Sequence, residues 1–135
     1  MSTTALPSHL LAQAVQSGSE FGWRSSDFPA VLKSAAAEGF ACLGGQFQWV
    51  LPDGTCEPYW LNADARPKQP GESWAAYVRR AEAEVEEGFT LLLRTTDFDA
   101  EAEKWPHLQE KKAQGVPVND YLVFVAYFTE VTHDA

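Results

Sequence analysis

GQFQWVLPDGTCEPYWL, residues 45–61, is the stretch that decides the fold. Two runs rich in aromatic and β-branched residues flank Pro52, Asp53 and Gly54, a turn sequence. The pattern predicts a β-hairpin with strands over roughly 40–51 and 55–62. Pro52 presets φ, and Gly54 is expected in the left-handed position of a bulged turn. Leu51 then faces Thr55, and Cys56 faces Val50. Side chains alternate along a strand, so this register assigns two faces. Phe47, Trp49, Leu51, Tyr59 and Leu61 read as the core face. Gln46, Gln48, Val50, Cys56, Pro58 and Trp60 read as a partly open face. The Gly44-Gly45 pair reads as a bend or bulge before the hairpin.

A second run fixes the rest of the sheet. Tyr121 to Phe128 is apolar on both faces and rich in aromatic and β-branched residues. It suits a central strand covered on both sides. Helical signals fill the remainder. Pro7 and Ser8 open a helix with Leu10, Leu11, Ala14 and Val15 as its stripe, ended by Gly18. Ser26 caps a second helix that carries Pro29 in its first turn and stops at Gly39. Residues 63–72, with Pro67, Pro70 and Gly71, form the longest loop. Ser73 caps the strongest helix, whose apolar stripe is Trp74, Tyr77, Val78, Ala81, Val85, Phe89 and Leu92. Gly88 leaves Phe89–Thr95 open between helix and strand. Asp97 or Asp99 caps a further helical stretch, interrupted at Pro106 and ended at Gly115. The expectation is a single α+β domain over 1–135: a small, mainly antiparallel sheet with helices packed on one face.

Composition narrows the function classes. The 135 residues are 45% hydrophobic and 13% aromatic, enough to bury a core. Ten Lys and Arg stand against 19 Asp and Glu, a net charge of −9. That surface repels nucleic-acid phosphates and anionic membranes and attracts a basic partner. No 18-residue apolar run suggests a membrane span, and residues 1–9 show no secretory pattern. Cytoplasmic localisation is expected. Cys42 and Cys56 lie too far apart along the hairpin for a disulfide, which suits a reducing compartment.

Catalytic signatures are sparse. His9, His107 and His133 have no metal-ligand spacing, and no Cys-x-x-Cys occurs. Neither a metal nor another cofactor is expected. A Cys–His pair would require His107 to fold onto a strand. The sequence has no Gly-x-Ser-x-Gly elbow and no phosphate-binding glycine loop. Glu57, placed opposite Trp49, is either a functional acid or an ion-pair partner of an arginine such as Arg24 or Arg66. The five tryptophans are the remaining signal. Trp49 and Trp74 read as packing, whereas Trp23, Trp60 and Trp105 lie in polar surroundings, where tryptophan serves as an interface anchor.

In size, acidity, α+β layout and the aromatic hairpin Gly45–Leu61 with strand Tyr121–Glu130, the chain resembles the small acidic immunity proteins of bacterial polymorphic and contact-dependent toxin systems. The resemblance implies a stoichiometric inhibitor that binds a cognate toxin domain and blocks its active site. It brings no family site residues with it. From the sequence itself, Glu82, Glu86 and Glu87 are the candidates for charge complementarity to a basic partner, and Gln46, Gln48 and Trp60 for contact. The alternative is a small-ligand or regulatory domain with a pocket between sheet and helices, the Gln46, Gln48 and Trp60 face forming its wall.

Overall fold

A computed structural model describes residues 6–131. Helices α1 (Ser8–Leu11) and α2 (Phe28–Ala37) flank a hairpin of β1 (Val15–Ser17) and β2 (Glu20–Trp23). The long strand β3 (Ala41–Leu51) turns into β4 (Gly54–Cys56), and β5 (Asn62–Asp64) follows. Next come α3 (Trp74–Thr95), α4 (Phe98–Ala102), α5 (Pro106–Ala113), a 3-10 turn (Val118–Tyr121) and β6 (Leu122–Thr129). The strands form one curled antiparallel sheet in the order β1-β2-β6-β3-β4, with β5 also paired to β3. This is an α+β fold with helices packed against the sheet.

The helix-covered face is built around aromatics. Phe28 of α2, Phe47 of β3, Phe89 of α3 and Phe124 of β6 are all buried, and their ring centroids lie 4.7–5.6 Å apart. Such tilted and offset contacts suit the ring quadrupoles. Trp23 seals one end, its indole N–H donating to the Leu10 carbonyl at 3.1 Å. At the other end Trp49, Leu51 and Cys56 pack with Ala102, Leu108 and Val118. The Trp49 indole N–H donates to Asn119 Oδ1 at 3.0 Å.

Ser73 caps α3 as its sequence predicts, accepting from the Ala76 amide at 3.1 Å. Phe89–Thr95 continues that helix, because Phe89 completes the stripe of Val78, Ala81 and Val85 against the sheet. Asp97 caps α4 through the Ala100 amide. A bulge lies between Cys42 and Gly44, and regular pairing resumes at Gly44 and Gly45. Gly44 has φ 136° and a Cβ there would collide with Asp64, so only glycine suits this position.

Several expectations are overturned: Asp27 rather than Ser26 stands at the N-cap of α2, the expected 55–62 strand is split into β4 and β5, and two further changes alter the topology. The first is the opening helix, which stops at Leu11. Val15 leaves the expected helical stripe and pairs with Gly22, and Gly18 (φ 64°) sits in the turn between two strands rather than at a helix end. Val15 and Phe21 favour extended chain, and Gly18 supplies the turn, so a hairpin outcompetes a second helical turn.

The second concerns the register at Pro52-Asp53. The pairs are Leu51–Gly54, Val50–Thr55 and Trp49–Cys56, one residue from the expected alignment. Gly54 is not left-handed. Helix α5 explains the choice. Asp53 pairs with Lys111 Nζ and lies 3.4 Å from His107 Nε2, and a Cβ on Gly54 would lie 3.3 Å from that nitrogen. The shift carries Cys56 into the apolar cluster beneath Trp49 and puts Glu57 on the opposite face.

Candidate functional site

The sheet face turned away from the helices has a composition of its own. Strand pairing lays it out in rows. One row carries Tyr127, Gly44 and Asp64, the next Gly22, Val125, Gln46 and Asn62, and a third Val123 and Gln48. Val123 and Val125 are buried although neither belongs to the helix-covered clusters. The curl of the sheet buries them: a Cβ on Gly22 would lie 2.8 Å from Val123 Cγ2, so the valines fill the space that glycine leaves. The expected cover on both sides of β6 is thus a helical layer on one side and the sheet's own curvature on the other.

Tyr127 and Gln48 are the polar centres of this face. The Tyr127 hydroxyl donates to Glu20 Oε2 at 2.9 Å. Burial pushes the Tyr127 phenol upward in pKa, as do the Glu20 hydrogen bond and the charges of Glu20, Glu57 and Asp64. Burial also raises the Asp64 carboxyl. Gln48 is completely buried. Its Nε2 donates to Glu57 Oε1 at 3.3 Å, while its Oε1 is buried with no donor among the described residues. At one end of the face lies a groove of about 470 Å³, lined by Val15, Arg24, Val50, Tyr121 and Val123 among others.

A second surface borders the first. Between β4 and β5 the chain leaves the ladder at residues 57–60 and rejoins where the Phe47 amide donates to the Leu61 carbonyl at 3.0 Å. This excursion exposes Tyr59 (72%) and Trp60 (41%) side by side, in edge contact at 5.2 Å. Trp60 nevertheless has a fixed orientation. It stacks on Trp105 at 6.1 Å and 10°, its indole N–H donates to Glu101 Oε1, and Lys104 Nζ lies 5.3 Å from its ring centre. Lys104 also bonds Glu101 Oε2 at 2.8 Å, and these two hydrogen bonds, Lys104 foremost, hold the Glu101 carboxyl below its ordinary pKa.

The six residues anticipated for partner contact do not form one surface. Gln46 is half-buried and Gln48 wholly buried on the open sheet face. Trp60 stands on the ledge at the sheet edge. Glu82, Glu86 and Glu87 lie on α3, whose core residues Val85 and Phe89 pack on the opposite side of the sheet. Glu86 and Glu87 are exposed. Glu82 is half-buried, and its carboxyl is raised by burial and by Glu86, with Lys33 acting against the rise.

Glu57 is exposed and meets Gln48 rather than an arginine. Arg66 instead binds Glu84 at 2.9 Å, and Arg80 bonds both Glu72 (2.7 Å) and Glu84 (3.0 Å). Tyr59 reads as core in the sequence but is the most exposed large aromatic, because the pairing breaks before it. Trp23, grouped there with Trp60, is buried. His107 does fold onto the hairpin, but against Asp53 and Gly54. His133 lies outside the described residues. Tyr127, Glu20 and Asp64 were not singled out by the sequence. Period-two reading of the last strand would place Tyr127 with Val123 and Val125, whereas Glu20 lies in a hairpin that the helical spacing of Leu10, Leu11, Ala14 and Val15 conceals.

Among the described residues, no helix is long and apolar enough to cross a membrane, and no group of three His, Cys, Asp or Glu side chains is placed to hold a metal ion. Comparison with protein-family models, curated proteins and solved structures finds no match.

Proposed function

We propose that this is a non-enzymatic binding protein for a basic protein partner, acting as an immunity-type inhibitor that blocks a toxin domain by occupying its active site. The carrying observation is Trp60: a large aromatic, partly exposed, held in one orientation by Trp105, Glu101 and Lys104. An anchor already ordered before binding loses less entropy on association, and a buried tryptophan at an interface centre contributes ~2 kcal/mol or more. The net charge of −9 supplies long-range attraction to a cationic cleft, and the exposed Glu86 and Glu87 add to that field without touching the ledge.

The test is association kinetics with the purified product of the neighbouring gene. The on-rate should fall steeply between about 0.05 and 0.5 M salt, as the screening length shrinks toward a few ångströms. Charge reversal of Glu86 and Glu87 should lower the on-rate with the fold intact. Trp60→Ala should raise the off-rate by roughly 30-fold, the equivalent of ~2 kcal/mol. An on-rate indifferent to salt and to the Glu86 and Glu87 reversal, with an off-rate unchanged by Trp60→Ala, would sink this reading. The groove lined by both Arg24 and Asp120 favours one other reading, a small-ligand site located on the open face rather than between sheet and helices. Co-purification of a metabolite in place of any protein would select it.

A further inference from the structure

We infer that the open sheet face around Tyr127 and Gln48 is a receptor for arginine side chains on an extended basic segment, an inference that rests on the reading above and gives that partner its chemistry. Glu20, Glu57 and Asp64 all act on the Tyr127 phenol, and none of the three forms an ion pair with a Lys, Arg or His among the described residues. Arg24 lies on the same side, in the groove beside Val123, and pairs with none of them. The carboxylates are spread rather than clustered. Glu20 and Asp64 belong to strands β2 and β5, three strand spacings apart across β6 and β3, or ~14 Å. Among the described residues no group of three such side chains is placed to hold a metal ion, and carboxylates drawn from separate strands suit several cations carried along one chain.

Gln48 is the independent sign that a donor belongs here. Its buried Oε1 lacks a hydrogen-bond partner among the described residues, and such an acceptor costs ~1–3 kcal/mol. Its amide lies against the exposed Glu57 carboxylate. With the Nε2–Glu57 Oε1 contact kept, a guanidinium reaching in beside it can donate to Gln48 Oε1 and to the second oxygen of Glu57 together. Its planar fork of five N–H donors fits two adjacent acceptors, which the compact ammonium of lysine does not match.

The experiment titrates the full-length protein with acetyl-Arg-Arg-Arg-amide, and with its neutral citrulline counterpart, while NMR follows the Gln48 side-chain amide and the Tyr127 ring. Saturable shifts at both residues are expected with the arginine peptide and none with citrulline. Glu20→Gln, Glu57→Gln and Asp64→Asn together should weaken binding at least tenfold. Glu38→Gln, Glu103→Gln and Glu110→Gln, which remove the same charge elsewhere, should change it less than twofold. Equal losses from both triple variants, or shifts spread over the whole acidic surface, would overturn the inference. If the first triple variant fails to fold, the exposed Glu57→Gln alone decides: a loss of threefold or more supports the site, and none refutes it. The peptide assay does not involve Trp60. Arginine binding here with no effect of Trp60→Ala on the neighbouring-gene product would remove the ledge and keep this face; the reverse pattern would do the opposite.

Discussion

Replacing Gln48 by methionine should make the protein more stable. The side chain is completely buried, so its amide has left water. One half of that amide is compensated: Nε2 reaches Glu57 Oε1 at 3.3 Å. The bond is long and its acceptor exposed, so it contributes ~1 kcal/mol at most, below the ~1.5–3 kcal/mol of a well-formed bond to a charged group. The other half is not, because Oε1 has no donor among the described residues, at a cost of ~1–3 kcal/mol. Methionine has the same chain length, no polar requirement, and flexibility enough to fill the site beside Val123. The balance favours Gln48→Met by ~1 kcal/mol, which for a chain of this length raises Tm by roughly 3–5 °C. Urea denaturation is the assay. The midpoint should rise with an unchanged m-value, since the surface exposed on unfolding hardly changes. A residue kept at a cost to stability is the signature of a functional position, so the same variant should bind the arginine peptide less well. A destabilisation beyond ~1 kcal/mol would refute the reasoning, because it would mean that the Gln48 amide is satisfied in the folded protein.

Phe124→Ala should cost ~3–5 kcal/mol in the same urea assay, since its ring is buried among Phe28, Phe47 and Phe89 and the remaining rings cannot close the gap. The Glu72 carboxyl is held down to about 2, first by the Arg80 hydrogen bond and then by the Gln69 amide. A lowered acid stabilises the folded state above its ordinary pKa of 4.5 and loses that contribution as pH falls toward about 2. Between those values wild type should therefore lose more stability than Glu72→Gln in pH-dependent denaturation, and equal slopes would count against the clamp. Both thiols are buried, and burial raises Cys42 to about 12 and shifts Cys56 upward. Neither should react with a thiol reagent in the native protein, and both should react without reduction once it is denatured.

The parts of the fold legible in sequence are those set by local periodicity. The α3 stripe with its Ser73 cap and the doubly apolar β6 each contain enough residues in phase to fix their conformation. The parts that were not legible depend on contacts distant in sequence. Whether Gly54 pairs with Leu51 is decided by His107 and Lys111, more than fifty residues away. That one-residue difference moved Cys56 into the core and Glu57 out of it. Likewise Val15 satisfies both a helical stripe and a strand, and only its pairing with Gly22 settles the matter. Of the candidate site, Trp60, Gln46 and Gln48 were visible because they lie in the hairpin. Tyr127, Glu20 and Asp64 were not, because three separate segments meet only through the strand order β2-β6-β3 and the added β5.

The central claim is that a basic partner docks on the ledge at the sheet edge and on the adjoining open face. Hydrogen exchange of the protein alone and in complex with the neighbouring-gene product tests it most directly. Protection is predicted at Glu57–Leu61 and at residues 101–105 beneath Trp60, with further slowing in the Asn62–Asp64 strand. Protection confined to α1 and α2, with the ledge exchanging as fast as in the free protein, would contradict it.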